Sequence, residues 1–191
     1  TIAKISTLSN LSMIINILGI LIFLGGINIT RNLAFPVFFL IFMFPVPDAI
    51  YVTLTNPLKL FVTQLSVKVL QLYGIAVMRE GNLIHLANMS LEVVEACSGL
   101  RSLMSYLVLG ILLAYFLPKK YIARKVILVG LTFPTAIIIN ILRIVITGIL
   151  SNSYGAGAAE GFFHETSGVL LFMVGFFALA GIYYLFRGRP G

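Results

Sequence analysis

The chain has 191 residues, 60% of them hydrophobic and only 10% charged, with a net charge of +7 at pH 7 and a mean hydropathy of +1.07. Soluble domains carry about 25% charged residues, so this composition excludes a solvated globular surface and indicates an integral membrane protein. The excess of positive charge does not point to nucleic acid, because the basic residues stand at the ends of apolar runs and not along one solvated face.

The first apolar run, residues 11–29, holds nineteen uncharged residues, enough at about 1.5 Å per residue to cross a hydrocarbon core of roughly 30 Å. It is too long for a cleavable leader and lacks a small-residue cleavage site. The chain opens on Thr1 and not Met, so further residues are expected upstream. Thr30-Arg31-Asn32 breaks the run, and a shorter aromatic segment, 33–46, ends at Pro45 and Pro47. In 57–77, Lys59, Gln64, Lys68 and Gln71 recur at spacings of five, four and three, on roughly one helical face. Leu58, Phe61, Leu65 and Leu72 take the other. Such a helix either spans with its polar stripe toward protein or lies in the interface.

Residues 78–95 are polar by comparison, and 83–86 and 90–93 read as two short strands around Ala87-Asn88-Met89. Asn88-Met89-Ser90 fits a glycosylation sequon, a pattern common by chance. Spans are expected at 98–117, at 126–150 with Pro134, Asn140 and Arg143 inside it, and at 162–186. Lys119, Lys120, Arg124 and Lys125 lie between the first two of these, and Arg187 and Arg189 follow the last. Both basic groups should face the cytoplasm, and the two spans between them make the parity agree. The polar segment before Ser98 and the loop before Phe162 then lie outside, where Glu80, Glu92, Glu95, Glu160 and Glu165 make up five of the six acidic residues. The fold class expected is an all-α integral membrane protein, a multi-pass bundle of about six helices. A small extracytoplasmic β-hairpin, at about 78–96, precedes Cys97 in a single membrane-embedded domain over 1–191.

In this topology Cys97, the only cysteine, begins a span at the outer face and His164 begins another. Arg143 lies seven residues before Leu150, about 10 Å along a helix. A lone membrane cysteine is usually a packing group, but a helix N-terminus favours its thiolate, and Arg101 one turn on adds positive charge. Arg143 within a span costs several kcal/mol on most scales and needs a partner or a cavity. His164 alone would pass for a cap. Together, thiol, imidazole and guanidinium suit acyl transfer, as nucleophile, proton shuttle and oxyanion stabiliser. Asn140, one turn before Arg143, is expected to orient it, with Glu95 and Glu165 as further supporting residues. One cysteine and two histidines without ligand spacing make a poor metal site. No phosphate-binding glycine loop occurs, so no cofactor is expected. His85 reads as a hairpin residue.

Glu95-Ala96-Cys97-Ser98-Gly99-Leu100-Arg101-Ser102, then Asn140-Ile141-Leu142-Arg143-Ile144 with Thr147-Gly148, then Glu160-Gly161-Phe162-Phe163-His164-Glu165-Thr166-Ser167-Gly168, resemble the exosortase family. Archaeosortases are the related archaeal group, and the cysteine block looks more like the bacterial enzymes. Pro45-Val46-Pro47 and Arg79-Glu80-Gly81-Asn82 are similar to the family's approach to its cysteine, so the resemblance covers about 40–186. It implies a catalytic core at about 94–186 and a membrane cysteine protease or transpeptidase acting on exported proteins. The partners implied are substrates with a C-terminal sorting signal: a Pro-Glu-Pro-type motif, a transmembrane helix and a basic tail. The implied catalytic residues are Cys97, Arg143 and His164, and some members accompany exopolysaccharide loci. Family members often have about eight spans, more than this chain shows. The competing expectation is a non-catalytic membrane subunit or transporter of an envelope export system, with Arg143 in a substrate path.

Overall fold

A computed structural model describes residues 2–40, 48–86, 90–93, 99–118, 120–155 and 162–188; for 2–11, 48–52, 54, 55, 92, 99–101 and 162–167 only the backbone is described. It is helical apart from one small sheet: six helices and three short strands. The chain divides into two compact units, Thr1–Val52 and Thr53–Gly191.

In the first unit, α1 (Ile2–Asn32) contains the long apolar segment Ser12–Asn32. Its apolar side chains point outward, Phe23 88% and Leu24 78% exposed, as suits a helix solvated by lipid. The helix ends at Asn32, at the break expected over Thr30-Arg31-Asn32. It is interrupted earlier, at Gly26 (φ 69°, ψ 175°), a backbone conformation open to glycine. The Thr30 hydroxyl donates to the Gly26 carbonyl (2.9 Å) beside the interruption. Arg31 belongs to the last turn, where a cation suits the helix dipole. A short α2 (Ala34–Phe39) follows; Pro45 and Pro47 lie outside the described residues.

Helix α3 (Asp48–Leu72) starts nine residues before Pro57 and carries it inside. A proline deletes one backbone bond and bends a helix without necessarily ending it. The polar stripe faces away from protein, with Gln64, Lys68 and Gln71 all exposed. The expected apolar face is corrected as well, since Phe61 is 50% and Leu72 86% exposed. Buried instead is a strip of smaller residues, Val62, Thr63, Ser66 and Val67, with Leu70. Leu70 packs directly on Gly148, where an added Cβ would lie 3.1 Å from it.

The hairpin expected at 78–96 is a three-stranded antiparallel sheet, β1 (Met78–Glu80), β2 (Leu83–His85) and β3 (Ser90–Glu92). Glu80 pairs with Leu83 across a two-residue turn that opens on Gly81 at φ 62°, the glycine position of a tight hairpin. β1 was not expected because it is exposed along its whole length and lacks the alternation that marks a strand. The sheet buries Ile84, Leu86, Leu91 and Val93 in one cluster with Val62, Val67 and Leu70 of α3. Ile144 and Val145 complete that cluster. They flank Arg143 on the next long helix but one.

The remaining helices, α4 (Gly99–Phe116), α5 (Ile122–Tyr154) and α6 (Phe162–Arg187), pack together. α4 and α5 approach closely where Gly110 meets Thr132, with no room for a Cβ. The buried Tyr106 of α4 stacks on Phe172 of α6 (ring centroids 5.0 Å apart) and its hydroxyl donates to the Phe172 carbonyl (3.1 Å). A Cβ on Gly175 would run into that hydroxyl, leaving the ring nowhere to move. Gly175→Ala should therefore destabilise the bundle by about 1–3 kcal/mol, read as unfolding in detergent. Gly181→Ala on the same helix meets nothing within 4 Å and should be neutral or stabilising by up to about 1 kcal/mol.

Two contacts fix the register of α5 against α6. At one end the Arg124 Nη1 donates to the Phe186 carbonyl (2.7 Å); at the other the Arg143 guanidinium lies against Gly168. Nineteen residues separate the two marks on α5 and eighteen on α6, about 28 Å of helix, close to the roughly 30 Å of a hydrocarbon core. The expected span 126–150 lies within α5, which is long and apolar enough over Ile122–Tyr154 to cross a membrane; beyond Arg143, Ile144, Val145 and Ile149 pack with the sheet and α3.

Candidate active site

Arg143, half-buried with Nε below the surface, presents its head group to α6. A Cβ built on Gly168 would lie 3.0 Å from Nη2, 3.2 Å from Cζ and 3.5 Å from Nη1. Any larger residue at 168 would occupy the space of the guanidinium. Asn140, one turn earlier on α5, is 7% exposed, so a polar residue backs Arg143 on the protein side.

On α6, Leu171, Gly175 and Leu179 form the buried stripe that faces the bundle. Extended back through Gly168 by one turn, the stripe reaches position 164. His164 is thus a bundle-side position one turn, about 6 Å, from the contact with Arg143; its side chain lies outside those described. Glu165, three residues before Gly168, borders the same stripe, again with the backbone alone described.

Helix α4 reaches the same level. It runs parallel to α6, with Tyr106 beside Phe172, so its first residue, Gly99, stands near 165. Cys97 and Glu95 lie outside the described residues. Val93, 2% exposed, is in the cluster with Ile144 and Val145, and α4 begins at Gly99. Arg101 falls in the first turn of α4. The starts of α4 and α6 and Arg143 thus lie toward the same end of the packed helices, with Phe162 about 9 Å before Gly168 along α6. Their free N–H groups and positive dipole ends, together with a guanidinium, favour negative charge there. A thiolate or a carbonyl oxygen gaining charge would be stabilised in such a place.

Gly168 is the residue that sequence inspection passed over as a site residue. Its signal was a glycine one turn after His164, at the head of an apolar helix. His85 serves the sheet, as expected. Its Nδ1 is 2.8 Å from Ser90 Oγ on β3, and its Nε2 is 3.4 Å from Glu80 Oε2 on β1, so it ties three strands. Among the described residues no three His, Cys, Asp or Glu side chains gather as metal ligands would.

A family model described as transmembrane exosortase matches residues 1–181. No curated protein and no solved structure matches the chain.

Proposed function

The chain belongs to the transmembrane exosortase family, and from that premise we propose that it is a membrane cysteine protease or transpeptidase. Its substrates are exported proteins that carry a C-terminal sorting signal. The observation that carries the proposal is the Arg143 guanidinium against Gly168, one turn from His164 and level with the start of α4. The Cys97 thiolate attacks the scissile carbonyl, and Arg143 stabilises the oxyanion that forms. The tetrahedral intermediate collapses, the C–N bond breaks, and His164 gives a proton to the departing amine. A thioacyl-enzyme remains on Cys97. An acceptor nucleophile, water or an amine, then attacks it and loses its proton to His164, which restores the thiolate. Asn140 orients Arg143, and Arg101 adds positive charge at α4.

The basic end, with Arg124 and Arg187 at one level, is assigned to the cytoplasm by its charge. This sets the reaction at the outer face of the cytoplasmic membrane. The substrate's own helix must arrive sideways through lipid, along exposed apolar residues of α6 such as Val169, Leu170 and Val174. A direct test is intact-mass analysis of a reporter bearing a Pro-Glu-Pro-type motif, a helix and a basic tail, coexpressed with the enzyme. The expected product lacks the helix and tail, and either ends in a free carboxylate or carries the mass of an acceptor. A full-length reporter at high enzyme levels would argue instead for the non-catalytic export subunit.

A further inference from the structure

We propose that Gly168 is a positioning residue that sets the Arg143 guanidinium for catalysis; the inference rests on Arg143 having the role given above. Three head-group atoms of Arg143 lie within 3.0 to 3.5 Å of where a Gly168 Cβ would be. Such nearly equal distances mean that the group offers its flat face to α6, not one N–H edge. The N–H donors of a guanidinium lie in its plane, so they run alongside α6, and position 164 is one turn away on the same face. An alanine at 168 would be tighter than ordinary van der Waals contact with Nη2 and Cζ, and the head group would have to shift by a few tenths of an ångström. Displacements near 0.5 Å exceed the tolerance of catalytic geometry, and about 1 Å can cost on the order of 100-fold in rate. Gly168 differs in this from Gly148, Gly110 and Gly175, which make room for Leu70, Thr132 and Tyr106 and serve packing alone.

The test uses the full chain in detergent or proteoliposomes with the sorting-signal reporter. Rates are expressed per folded enzyme, so that loss of fold is not mistaken for loss of positioning. Gly168→Ala should lower kcat about tenfold and Gly168→Val about 100-fold, with KM little changed; Gly181→Ala should process normally. A second measurement does not depend on turnover: Gly168→Ala should be less favourable to stability in the wild-type chain than in the Arg143→Ala chain, where nothing opposes the added methyl. An unchanged kcat per folded enzyme in both Gly168 variants would overturn the proposal, as would equal stability effects in the two backgrounds. Full processing by Arg143→Ala would overturn it together with the role assigned to Arg143. If Arg143→Ala is inactive while Gly168→Ala is fully active, only the positioning role falls.

Discussion

Cys97→Ala should reduce reporter processing by about 10⁴-fold or more while leaving the enzyme folded and membrane-inserted. The sulfur is the only group in the proposed site able to hold the acyl chain, so its removal leaves no covalent route. Alanine has a similar small volume and a higher helix propensity than cysteine, and no large change in stability should accompany the loss. Cys97→Ser is expected to be nearly as damaging. A serine hydroxyl beside a helix N-terminus does not ionise near neutral pH as a thiol does, and the site holds a positive environment suited to a thiolate. Intact mass of the reporter, together with labelling of the wild-type thiol by an alkylating reagent, reads both effects. Processing by Cys97→Ala at the wild-type rate would end the cysteine-protease assignment. A transporter or structural subunit would tolerate Cys97→Ser and ignore alkylation.

Arg143→Ala is expected to cost about 10³-fold in kcat, the upper part of the range for removing one oxyanion donor, or about 4 kcal/mol of transition-state stabilisation. Arg143→Lys keeps the charge but lacks the planar group that lies against Gly168, and it carries a compact ammonium on a flexible stem. It should recover only part of the rate, about tenfold above Arg143→Ala. Folding should survive both changes, because Arg143 is only half-buried and not wholly enclosed. Measured kcat for the three enzymes, with unfolding in detergent as the control, checks this. Equal activity of Arg143→Lys and wild type would mean that charge alone matters and that the flat contact with Gly168 has no catalytic consequence.

The site was partly legible in the sequence. A charge inside an apolar run and a histidine at the head of another stand out because they are costly or unusual there. Asn140 was placed one turn from Arg143 by helical spacing, and it is buried. Gly168 was passed over because a glycine in a membrane helix is common, and only its neighbour across the bundle gives it meaning. The faces of α3 misled for a similar reason. Large apolar residues such as Phe61 and Leu72 mark an inward face in water, whereas beside lipid they can point outward at no cost and the smaller residues make the protein contact.

Composition and charge by themselves determined the class of the protein, its helical bundle and the separation of a basic end from a polar one. These follow from local free energies of transfer, which are written residue by residue. The tertiary structure alone decided which part of an apolar run is covered by protein. From 126 to 150 the sequence is uniformly hydrophobic apart from a few residues. Its end from Ile144 onward is nevertheless covered by a sheet and by α3. A buried isoleucine costs the same to desolvate whether lipid or protein covers it, so hydropathy cannot tell the two apart. The packing shows where protein covers it, through Ile144 and Val145 in one cluster with Leu70, Ile84 and Leu91.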